Sequence, residues 1–114
     1  PVQQATAALI DGTRLPAHAL LLGIKAEQHY IKIWSDQGND LVRYRFKDLE
    51  AILEHRNCLQ VHRSWWVNLD KVQRIHNNGR KLELFISDDL VVPVSAAYRN
   101  IVQKQLAKQI VADR

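Results

Sequence analysis

Two periodicities alternate along this chain. In residues 30–35, YIKIWS, Ile31 and Ile33 stand opposite Lys32, the period-two pattern of a half-buried strand. Residues 20–26 predict a strand before it. DQGN at 36–39 is a turn signal, and DLVRYRF at 40–46 reads as the returning strand. The period then lengthens. In FKDLEAILEHR, residues 46–56, Phe46, Leu49, Ile52 and Leu53 share one helical face, and Asn57 is a plausible stop. CLQVH at 58–62 returns to strand character. KVQRI at 71–75 and KLELFI at 81–86 flank HNNGR, where Asn78-Gly79 is a strong hairpin signal. LVVPV at 90–94 is another strand, with Pro93 suiting an edge or a terminus. Ser95 is placed to cap a last helix with a stripe of Tyr98, Ile101, Val102, Leu106 and Ile110, off which lie Arg99, Lys104 and Lys108. Residues 1–17, with their IDGTRLP turn signal, predict a linker plus one short strand, which leaves 18–114 as the domain. The expected fold is mainly β with two short helices, as short antiparallel sheets packed together.

The chain has 114 residues, of which 46% are hydrophobic, enough for one domain with a real core. HALLLGI at 18–24 falls far short of the ~18 apolar residues of a membrane span. A lone cysteine, Cys58, excludes an internal disulfide and fits a reducing cytosol, so the domain is expected to be cytoplasmic. The chain begins at Pro1, holds no methionine and shows no signal-peptide pattern; it reads as a piece of a longer protein.

The net charge of +4 is modest, but its placement is uneven. Residues 61–81 hold Arg63, Lys71, Arg74, Arg80 and Lys81 against Asp70 alone, while the rest of the chain balances. Local positive charge of this kind is the footprint expected for a polyanion, or simply a solvated basic face. Enzyme motifs are absent: the four glycines are scattered, no nucleophile elbow occurs, and no carboxylate pair is readable, so no catalysis and no cofactor are expected. His55, Cys58 and His62 form H-x2-C-x3-H. A structural zinc normally takes four ligands, so three separate structural roles are favoured over a metal site.

The densest chemistry is VHRSWWVNLDKV, residues 61–72, where a polar cluster abuts two tryptophans. Arginine reads guanine bidentately, and histidine, asparagine and serine reach base edges or phosphates. LQVHRSWWVNLDKVQRI together with the downstream VPVS closely resembles the LytTR family of bacterial DNA-binding domains. LLGIKAEQHYIKIWSDQGN and FKDLEAIL extend the match, so that it covers roughly residues 18–106.

The resemblance implies the output domain of a response regulator in a two-component system. Such a domain inserts loops into successive major grooves at direct repeats. Its implied partners are double-stranded DNA, a second copy on that DNA, and an upstream receiver or membrane-sensor domain. By the same resemblance His29 and Arg63 are the base readers. Gln28, Tyr30 and Ser64 are assigned to the backbone, with Lys71, Asn78, Ser95 and Arg99 as further backbone candidates. The family commonly has arginine after the P-V-S element, and here that position is Ala96. The departure motivates an alternative: a protein-interaction module that has lost specific DNA reading. Leu59 and Val61 are expected in the core. His62 and Asn68 are expected to hold structure, Trp66 to pack, and Trp65 either to pack or to lie partly exposed near the duplex.

Overall fold

The computed structural model describes residues 9–53 and 58–112. Among these described residues, eight strands form two antiparallel sheets. The first sheet contains β1 (Leu21–Ala26), β2 (Ile31–Ser35), β3 (Gly38–Val42), β4 (Cys58–His62) and β5 (Trp65–Asn68), in the order β3-β2-β1-β5-β4. The second contains β6 (Arg74–Asn77), β7 (Leu82–Ser87) and β8 (Leu90–Val94), in sequence order. Helix α1 (Leu49–Leu53) follows a single 3-10 turn, and α2 (Arg99–Ala112) follows another.

Strand alternation explains the tryptophan pair. Neighbours on a strand point to opposite faces, so Trp65 and Trp66 enter different cores. Trp65 joins Val61, Val67, Leu84, Val92 and Val102, between the two sheets and α2. Trp66 joins Ile24, Ile33, Leu49, Leu53 and Cys58 on the opposite face. Both rings are more than nine-tenths buried, so Trp65 is a packing residue and is not exposed toward a ligand. It stacks on Trp34 with centroids 5.2 Å apart.

Several expected boundaries move. The strand expected for 40–46 ends at Val42, because Val42 pairs with Ile31, the first residue of β2, and no ladder remains opposite Arg43. The turn expected over 36–39 shrinks to Asp36-Gln37, with Gly38 at φ +124° pairing with Ser35. The strand expected from 71 begins at Arg74. Asn68 caps a 3-10 turn over Leu69–Lys71 by accepting the Asp70 N–H at 3.1 Å, and this diverts the chain. Over its described part, the linker and short strand expected for 1–17 hold a helical segment at 9–11, with Leu9 and Ile10 buried in the core. Arg14 N–H then donates to the Asp40 carboxylate at 2.9 Å. That bond, with a second from the Leu41 N–H, holds the Asp40 carboxyl below its ordinary value. In α2, Val102 and Leu106 are buried while Ile101 is exposed, so the stripe is narrower than expected. His55, Asn57 and the side chain of Ile110 lie outside the described residues.

Candidate nucleic-acid interface

Antiparallel pairing sends two chain reversals and the exit of a third strand to one end of the five-stranded sheet. β1 ends there at Ala26 and β2 begins there at Ile31, with residues 27–30 between them. β4 ends there at His62 and β5 begins at Trp65, with Arg63-Ser64 as the turn. β3 ends there at Val42, leading into residues 43–47. Backbone hydrogen bonds join these pieces into one rim. Ala26 N–H donates to Ser64 O at 2.8 Å, and Ser95 N–H donates to Val61 O at 3.0 Å. A bulge between Gln60 and His62 takes Val61 out of the β5 register, which re-aims the strand end and leaves its carbonyl to Ser95.

The rim therefore runs in spatial order through 43–47, 27–30, 63–64 and Ser95. Five strands at ~4.8 Å spacing make it ~19 Å wide, which is shorter than one ~34 Å turn of duplex. The 78–81 hairpin extends it. Arg99, in the first turn of α2, donates to Gly79 O at 3.0 Å and Arg80 O at 3.1 Å. The hairpin turn is centred one residue later than the Asn-Gly signal suggested. Asn78 N–H donates to Lys81 O at 3.1 Å, which puts Gly79, φ +89°, at the first central position, where a type II′ turn favours glycine.

The rim gathers most of the residues singled out from sequence. Gln28, His29 and Tyr30 are exposed on the 27–30 loop, which Glu27 N–H closes onto Tyr30 O at 2.9 Å. Arg63 is exposed and Ser64 half-buried. His62 shapes the turn, its Nδ1 accepting the Ser64 N–H at 3.1 Å. Ser95 is half-buried, and its side chain makes no cap bond to the following turn, contrary to the expected helix cap; only its backbone carbonyl accepts, from Tyr98 N–H at 3.0 Å. Ala96 is exposed on the rim and offers no polar side chain. Asn78 is exposed, but its Oδ1 already accepts from Arg80 and Lys81 N–H.

Two expected backbone contacts stand apart. The Arg99 guanidinium donates through both terminal nitrogens to the hairpin carbonyls, so it is tied to that loop. Lys71 follows β5 past the opposite end of the sheet, where Asn68 Nδ2 donates to Leu21 O at 2.9 Å. Conversely, the rim brings in Arg43, Arg45 and Lys47, which the charge distribution along the chain did not mark because nearby acids balance them. Three cations in the five residues RYRFK were the available signal.

The Arg99 tie makes a testable difference. Arg99→Ala should cost about 1 kcal/mol, the net worth of a hydrogen bond or two at a partly exposed site. The Arg80 and Lys81 amides should then exchange with solvent faster, as read by amide hydrogen exchange. Arg99→Lys should not restore their protection, since one ammonium cannot reproduce the planar fork that bridges two carbonyls. Unchanged exchange in both variants would show that the hairpin holds itself.

Among the described residues no helix is long and apolar enough to cross a membrane, and no group of three or more potential metal ligands occurs. Comparison with known proteins gives the architecture its place. The chain is 34% identical over 86 residues to an uncharacterized response regulatory protein of Vibrio cholerae, covering 71% of this chain and 33% of that protein. It thus spans about a third of that relative's length. Its fold is similar to the solved LytTr DNA-binding domain of a Bacillus cereus protein described as a methyl-accepting/DNA response regulator. The TM-score is 0.66 at 20% identity, over 75% of this chain and 80% of the other. The profile of the LytTr DNA-binding domain matches residues 15–107, the whole of both sheets and most of α2, and the chain belongs to that family.

Proposed function

We propose that this domain binds double-stranded DNA sequence-specifically, as the output module of a bacterial transcriptional regulator. The observation that carries the reading is the rim itself. Residues far apart in sequence, His29, Arg63 and Ser95, come from segments that backbone hydrogen bonds at Ala26–Ser64 and Val61–Ser95 hold side by side. A rigid edge with exposed polar side chains can enter a groove without a recognition helix. In this reading His29 and Arg63 meet base edges, while Gln28, Tyr30 and Ser64 hold the backbone, with Ser95 and the Asn78 hairpin beside them. The loops enter the major groove, and two copies occupy direct repeats. The similarity to a longer response regulatory protein supports a receiver domain upstream. Ala96 favours a second reading, an interaction module that no longer reads sequence, because the rim position it occupies has no side chain to donate.

Selection from random duplexes near physiological salt separates the two. Recovery of paired short repeats about one helical turn apart supports specific reading. Weak, salt-sensitive binding with no enriched motif supports the interaction module. With about six phosphates neutralised, affinity should fall with a log–log salt slope of roughly −5, because each contact releases condensed counterions.

A further inference from the structure

We infer that Arg43 and Lys47 form a phosphate clamp that carries the DNA contact past the segment read by His29, on the β3 side. This rests on the DNA-binding reading above and assigns residues that neither family resemblance nor charge distribution singled out.

The placement follows from register. Ile31 pairs with Val42 at the end of the β2–β3 ladder, so the next residues outward, Tyr30 and Arg43, flank each other across one strand spacing. Between them opens a cleft of about 540 Å³, lined by residues 26–30 on one wall and 43–47 on the other. Glu27 is the one carboxylate in that lining, against Arg43, Arg45 and Lys47. Arg45 is partly neutralised by Asp48 at 3.0 Å. Among the described residues no carboxylate pairs with Arg43 or Lys47, and both are exposed. Two unpaired cations thus stand beside the loop that carries His29, at the outermost position of the rim.

The rim's order decides the partner. A duplex lying across His29 and Arg63 must continue past residues 43–47, because β3 is the next and last strand on that side. What a duplex presents there is its backbone, a dense row of negative charge. Arg43 and Lys47 sit outside the bases read, so they add affinity without adding sequence information.

The test compares wild type with the Arg43→Ala/Lys47→Ala double variant on two duplexes carrying the selected site. One has long flanks. The other is cut at the His29 end of the site, with its orientation set by the base position at which His29→Ala loses preference. On the long duplex the double variant should show a salt slope shallower by roughly 1.8, which is about a tenfold smaller loss between 50 and 200 mM salt, with unchanged base preference. On the cut duplex the two proteins should coincide. Equal slopes on the long duplex overturn the clamp. A deficit that persists on the cut duplex also overturns it, because the effect is then structural. If wild type binds no duplex in a salt-dependent way, the DNA reading fails first and the clamp falls with it. Both side chains are exposed, so matched thermal unfolding of variant and wild type confirms that the fold is intact.

Discussion

Trp66→Ala is expected to destabilise the domain by about 3–5 kcal/mol, the usual cost of deleting a buried tryptophan and leaving a cavity. Single domains are held by only about 5–15 kcal/mol, so the variant should lie near the edge of folding. The environment argues for the upper part of that range. Trp66 pairs with Ile24 across β1 and β5, and on its face it meets Ile33, Leu49, Leu53 and Cys58. These neighbours come from several strands and a helix, so no single one can move in to fill the space. Urea unfolding checks this: the midpoint should fall with little change in m. Trp66→Phe, which keeps most of the apolar volume, should cost much less. A loss below about 1 kcal/mol for Trp66→Ala would mean that this core collapses freely around the missing ring. Trp65→Ala should also be severe but for a different reason. It empties the seam between the two sheets and removes the stack on Trp34, whose geometric preference adds about 0.5–1.5 kcal/mol beyond burial.

Arg63→Ala is the second large expectation. The residue is exposed at the centre of the rim, on a turn fixed by His62 Nδ1 and by the Ala26–Ser64 bond. A fixed turn holds the guanidinium where a bidentate contact to one guanine can form, worth about 1–3 kcal/mol against a wrong base. Removal should therefore weaken the selected site by roughly 5- to 150-fold and flatten the preference at one base position only. Titration of a set of singly substituted duplexes reads this directly. If affinity drops equally on every duplex, Arg63 is a phosphate anchor and the base reading passes to His29. Arg63→Lys should retain part of the affinity but lose the discrimination, since an ammonium is a point charge without the fork.

Much of the fold was legible. The alternation in YIKIWS and the helical spacing of Phe46, Leu49, Ile52 and Leu53 reappear as β2 and the turn into α1, because local pattern and final burial agree there. The failures share a cause. RYRFK continues a strand-like alternation, but strand formation needs a partner, and β2 begins too late to supply one. KVQRI reads as strand throughout, yet the Asn68 side chain gives the backbone a competing local hydrogen bond and a 3-10 turn wins. Leu9 and Ile10 looked like tail because their burial depends on residues far along the chain.

Of the candidate interface, the sequence by itself determined the residue types, the hairpin near Asn78-Gly79 and the polar cluster beside the tryptophans, since these are local patterns. It also carried the family resemblance. Only the tertiary structure decided which residues share an edge. Antiparallel pairing in the order β3-β2-β1-β5-β4 sends the β1–β2 and β4–β5 connections and the end of β3 to one side, and hydrogen bonds from Ala26 to Ser64 and from Ser95 to Val61 hold the two connections and Ser95 in line. The tertiary fold also placed Arg43 and Lys47 in one cleft with His29, joined Arg99 to the hairpin carbonyls, and carried Lys71 to the far end. The physical reason is that strand order and register are set by long-range burial of both sheet faces, and such pairing is not encoded in any short window of the chain.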